Sequence, residues 1–169
     1  MTNSTKVRLG LLVAGTIVAG VTVINSLMRT TREKIVDVAM TQIGEQNPDT
    51  YWQVVQPVLV GTGAAWCGGF ALWALKQVGL LPDLDWAVGR GFIFRGNNGA
   101  ELPRTSEPKP GDIAYFQNLQ HHAIVKSWNP TTNELVTIDG NQSPGEQVKL
   151  RTRNAREATA FFSIEPLLS

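Results

Sequence analysis

Pro108-Lys109-Pro110-Gly111-Asp112-Ile113-Ala114-Tyr115-Phe116-Gln117-Asn118-Leu119-Gln120-His121-His122-Ala123-Ile124-Val125-Lys126-Ser127-Trp128 is where the hydrophobic pattern changes its period. Pro110-Gly111-Asp112 is turn chemistry that launches a strand over 113–117. A second strand runs over 123–128, opened by the two histidines and ended by Asn129-Pro130. Further period-two segments follow at 134–139, 147–151 and 158–164, with the turn residues 140–145 between the first two of these. Upstream the pattern is helical. Residues 33–43 carry an apolar stripe of Ile35, Val36, Ala39, Met40 and Ile43, closed by Gly44. A second segment begins at Asn47-Pro48-Asp49, holds Tyr51, Trp52, Val54 and Val55, and is broken by Pro57. A third helix is expected over 66–78, with Gly79 as its stop. Residues 82–110, rich in glycine and proline, read as loop. Helices first and strands afterwards predict an α+β domain over 30–169, its N-terminal helices packed on a roughly five-stranded antiparallel sheet.

The 169 residues suit one modest domain with a short extra segment. A single cysteine excludes an internal disulfide, and one cysteine with two adjacent histidines is too few for most zinc sites. A net charge of +1 leaves no electrostatic footprint for nucleic acid. Charged residues are only 17% of the chain, and the apolar excess lies at the N-terminus. Residues 9–28 hold no charge, with Lys6 and Arg8 before them and Arg29, Arg32 and Lys34 after. At about 1.5 Å per residue, such a helix matches a bilayer core of roughly 30 Å. Residues 1–29 are therefore read as an N-terminal anchor holding one transmembrane helix. A cleaved signal segment is the alternative, although no A-x-A site closes the run. Basic residues at both ends leave the orientation open.

Cys67 falls in or just before the first turn of its helix, behind the loop Gly61-Thr62-Gly63-Ala64-Ala65. Unpaired N–H groups and the positive end of the helix dipole favour a thiolate there. Gly68 and Gly69 are expected to leave the sulfur open to a substrate. The plainer reading is a small core residue, as most free cysteines are. His121 and His122 shift the balance. A cysteine at a helix start facing a histidine on a strand is what thiol catalysis needs, and a polar residue on the next strand should orient the ring. Asp139 and Asn141 stand at the end of the third strand. Strand alternation lets only one histidine meet Cys67. His121 is preferred, with His122 as the alternative base if a bulge opens the strand. Tyr51, Trp52 and Trp86 are candidates to line the cleft, although such aromatics are more often core.

These residues also carry a family resemblance. Trp66-Cys67-Gly68-Gly69-Phe70 and the helix after it resemble the nucleophile helix of the CHAP family (cysteine, histidine-dependent amidohydrolases/peptidases), within the NlpC-like, papain-like group of cell-wall hydrolases. Pro108 to Phe116 is similar to the family's P-x-P-G-D-I-x-x-F segment. His121-His122-Ala123-Ile124-Val125 resembles its H-x-[GA]-I-V, and Ile138-Asp139-Gly140-Asn141 its [ED]-G-N. The four motifs stand in order over most of residues 33–150.

The resemblance implies a papain-like fold and hydrolysis of an amide bond in peptidoglycan, as an endopeptidase or amidase. Cys67 is then the nucleophile, His121 the proton shuttle, and Asp139 or Asn141 the group that holds the imidazole. It implies bacterial cell-wall remodelling or a bacteriophage lysin, with no cofactor. Partners are then the peptidoglycan substrate and, through residues 9–28, a lipid bilayer, with the C-terminal domain outside the cytoplasm in a bacterial inner membrane or phage virion membrane. Trp66 stands where many relatives carry glutamine, which leaves the oxyanion hole unassigned beyond the Cys67 N–H. The stretch Val58 to Ala65 lacks carboxylates, so no calcium or other metal is expected. Two other classes fit the same residues: a non-catalytic, membrane-tethered wall-binding module, and an intracellular papain-like hydrolase.

Overall fold

Helix α1 (Thr31–Met40) forms because Ile35 and Ala39, four residues apart, present one apolar face, and both are fully buried. This computed structural model describes residues 29–87, 91–142 and 145–169. Gly44 takes a left-handed φ of +91° and lets the chain double back, where its N–H bonds the Val148 carbonyl at 2.9 Å. Helix α2 (Asp49–Val55) is short, buries Tyr51, Trp52 and Val55, and stops ahead of Pro57. Helix α3 (Cys67–Gln77) is buried from Cys67 to Leu75 and is apolar nearly all round. Its end is a Schellman motif. The Leu80 N–H reaches the Leu75 carbonyl at 3.2 Å, and the Gly79 N–H reaches Lys76 at 3.1 Å.

Among the described residues seven strands follow: β1 (Asp83–Ala87), β2 (Gly91–Arg95), β3 (Ile113–Phe116), β4 (His121–Asn129), β5 (Glu134–Gln142), β6 (Gln147–Asn154) and β7 (Ala160–Phe162). The last five form one antiparallel sheet in the order β6-β5-β4-β3-β7. The expected α+β architecture, with three helices and a five-stranded antiparallel sheet, is therefore present. One element differs from expectation. β1 and β2 pair as a separate two-stranded antiparallel sheet within the stretch read as loop. The alternation of Asp83-Leu84-Asp85-Trp86 was there to read, but the glycines around it obscured the period.

The helices cover one face of the sheet, where Ile113, Ile124, Ile138, Val148 and Phe162 join the main core. On the opposite face Ala114, Phe116, Ala123, Val125 and Leu135 form a second, smaller core. Asp112 ties the layers together. Its buried carboxylate accepts from Arg32 of α1 at 2.8 Å, from the Lys109 N–H at 2.8 Å and from the Ile164 N–H at 3.0 Å. Gly111 before it has φ +87°, and a Cβ there would meet Ile35 and Ile164 at 3.2 Å.

The anchor expected at 9–28 lies outside the described residues. Among those described, no helix is long and apolar enough to cross a membrane.

Candidate active site

The site is built where α3 begins and β4 begins. Trp66 holds the N-cap position of α3 and stacks on Tyr51 with ring centroids 5.2 Å apart. This clamp sets the first helical residue, Cys67, against the sheet, where it is almost fully buried. α3 packs on β4 and β5 at close range because β5 carries Gly140 beneath it. A Cβ on Gly140 would stand 2.7 Å from Phe70 Cβ and 2.9 Å from the Trp66 ring.

His121 and His122 are the first two residues of β4, and they point to different surroundings. His121 Nε2 lies 2.9 Å from Asp139 Oδ2, in a hydrogen bond whose carboxylate is wholly buried. With Nε2–H donating to Asp139, Nδ1 is the nitrogen left for the thiol. Asp139 is held from two further sides. Thr137 Oγ1 donates to Oδ1 at 2.5 Å, and Arg153 Nη2 donates to Oδ2 at 2.5 Å. The Arg153 guanidinium lies over the Phe116 ring, 4.4 Å from its centroid. His122 instead stacks on Tyr115 at 4.7 Å and meets Phe94 at 5.6 Å.

Electrostatics couple the thiol to the rings. Burial pushes the Cys67 thiol up, but hydrogen bonds and charge from His121 and His122 outweigh it and bring the group down to about 6. Burial likewise depresses His121, and the bonds and charges of Asp139 and Cys67 more than reverse this, raising it to about 9. Between these values the pair is a thiolate beside an imidazolium. Such an ion pair has the chemistry to attack a carbonyl and to donate a proton.

Of the residues singled out in the sequence, Cys67, His121, His122 and Asp139 are brought together. Asn141 stands two residues beyond Asp139 with a left-handed φ of +58°, where the β5–β6 register shifts, and the carboxylate of Asp139 holds the ring. His121 meets Asp139 and Phe116 while His122 meets Tyr115 and Phe94, and both rings contribute to lowering the Cys67 thiol. Two expectations are corrected. Gly69 does not open the backbone to a substrate, since a Cβ there would lie 2.6 Å from the Trp52 ring, which fills that space. Tyr51 and Trp52 are core residues rather than cleft walls, being 0% and 1% exposed. The Trp86 side chain lies outside the described residues.

Sequence reading missed Thr137 and Arg153. Thr137 was findable as the residue two before Asp139 on the same strand face. Arg153 had no local signal, since it faces Leu135 in the β5–β6 register and Asp139 faces Lys149. Among the described residues no group of His, Cys, Asp and Glu is placed to hold a metal ion.

Comparison with family models matches residues 59–141 to the CHAP domain. CHAP domains are in general hydrolases that act on peptidoglycan. The matched span contains Cys67, both histidines, Asp139 and Asn141. Comparison with curated proteins and with solved structures found no match.

Proposed function

We propose that this chain, a CHAP domain over residues 59–141, hydrolyses an amide bond in peptidoglycan with Cys67 as its nucleophile. The observation that carries the reading is the hydrogen-bonded series Cys67, His121 and Asp139 inside the matched span. The Cys67 thiolate attacks the amide carbonyl, and the charge passes to the carbonyl oxygen. The His121 imidazolium then protonates the departing nitrogen, the C–N bond breaks, and a thioester on Cys67 remains. The neutral ring next takes a proton from water, which attacks the thioester. The acid is released and the thiolate–imidazolium pair is restored. Asp139 keeps Nε2 protonated and so directs Nδ1 at the sulfur throughout. The Cys67 N–H, at the open N-terminus of α3, is suited to the oxyanion.

The bond is an endopeptidase bond of the stem or cross-bridge, or the amidase bond between sugar and stem. Residues 9–28 are proposed to tether the domain in a bilayer on the wall-facing side of a bacterial inner membrane or in a phage virion membrane. Purified peptidoglycan incubated with the protein should yield soluble fragments, and their masses identify the bond. Cys67→Ser should release none. Intact wall material with the wild-type protein would favour the wall-binding reading. Degradation by Cys67→Ser would place the nucleophile elsewhere.

A further inference from the structure

We propose that Arg153 is a positioning residue of this site, holding the Asp139 carboxylate in place and balancing its charge when His121 is neutral. The proposal rests on the hydrolase reading above for its consequence in turnover, and on the geometry alone for its effect on His121.

Asp139 is 0% exposed. A carboxylate so buried requires a compensating charge, and removing its only partner strands it at high cost. During hydrolysis His121 alternates between imidazolium and imidazole, so on its own it compensates Asp139 for only half of the cycle. Arg153 is a cation in both halves, because a guanidinium does not lose its proton in this pH range. Its placement is not that of a casual surface pair. In the β5–β6 register it stands opposite Leu135, four residues short of Asp139. It crosses that gap along the sheet, stacked on Phe116, to reach the same Oδ2 that accepts from His121. Thr137 takes the other oxygen, so the carboxylate plane is set by three donors.

The groups facing His121 are Cys67 from α3, His122 beside it on β4, Asp139 on β5 and, behind Asp139, Arg153 on β6; β3 presents the Phe116 ring. Removing the Arg153 cation leaves the whole Asp139 charge to the imidazolium. His121 should then hold its proton more tightly and surrender it more slowly to the departing nitrogen.

The chain has two histidines, so its imidazole C–H resonances are two sets, assigned by His122→Phe. In Arg153→Met the His121 titration midpoint should rise by roughly one pH unit, and in Arg153→Lys it should stay near the wild-type value. Arg153→Gln, which keeps a donor for Oδ2 without the charge, should rise as well and serves if the Met variant does not fold. With peptidoglycan as substrate, kcat of the Met or Gln variant should fall about tenfold with KM little changed, and the alkaline limb of the pH profile should move up. A His121 midpoint that is unmoved or lowered in a folded Met or Gln variant overturns the proposal. Absence of hydrolysis by the wild-type protein overturns the hydrolase reading instead, and the titration still decides the role of Arg153.

Discussion

His121 Nε2 and Asp139 Oδ2 stand 2.9 Å apart across the β4–β5 pairing, in surroundings that exclude water from the carboxylate. This bond decides the chemistry of the neighbouring thiol. It commits one ring nitrogen to Asp139, leaves the other for Cys67, and stabilises the imidazolium that the thiolate needs. The sheet register thus acts on a residue at the start of a helix.

The charge state of the pair sets a pH window. Cys67 lies below its ordinary range, so thiolate is lost as pH falls through about 6. His121 lies above its ordinary range, so imidazolium is lost as pH rises through about 9. Hydrolysis should follow a bell between those limits, with both limbs belonging to the coupled pair. Iodoacetamide labelling of Cys67, the only cysteine, should rise through a midpoint near pH 6. A midpoint in the range of a free thiol, about 8.5, would refute the ion pair.

The two histidines should separate cleanly by mutation. On the proposed mechanism His121→Ala removes the proton shuttle and should lower kcat by about 10²–10⁴-fold. His122→Phe keeps a flat ring against Tyr115 and Phe94 and should retain substantial activity. Activity assays on variants shown to be folded check this, and the reverse ranking would transfer the role to His122.

At Gly140 β5 runs close against the start of α3. Gly140→Ala places a Cβ 2.7 Å from Phe70 Cβ and 2.9 Å from the Trp66 ring, so the start of α3 must shift. Urea denaturation should show a loss of about 1–3 kcal/mol. Because Trp66 and Cys67 adjoin the strained contact, the labelling rate of Cys67 should fall as well. Wild-type stability in this variant would mean that α3 relaxes freely.

Residues 9–28 should hold the full chain in membranes after carbonate extraction, while a chain starting at Thr30 should be recovered in the soluble fraction. Sequencing the N-terminus of the mature protein is the second check. A terminus beyond Gly20 would replace the anchor by a cleaved export signal.

The five strands of the main sheet, the cysteine helix and the order Cys67, His121, Asp139 were legible in the sequence because each rests on short-range chemistry. Period two, the turn at Pro110-Gly111-Asp112 and the glycine stop at Gly79 are all local to the chain. Tertiary structure alone decided which donors hold Asp139, and that Gly69 and Gly140 are spaces filled by Trp52, Phe70 and Trp66. Each of these depends on register or on the distance between layers. Arg153 shows the reason most clearly. It lies fourteen residues from Asp139 in the chain, and only the β5–β6 pairing and the Phe116 face bring the guanidinium back to the carboxylate. Periodicity assigns a side chain to a face of its own strand. What stands opposite is settled only when the sheet closes.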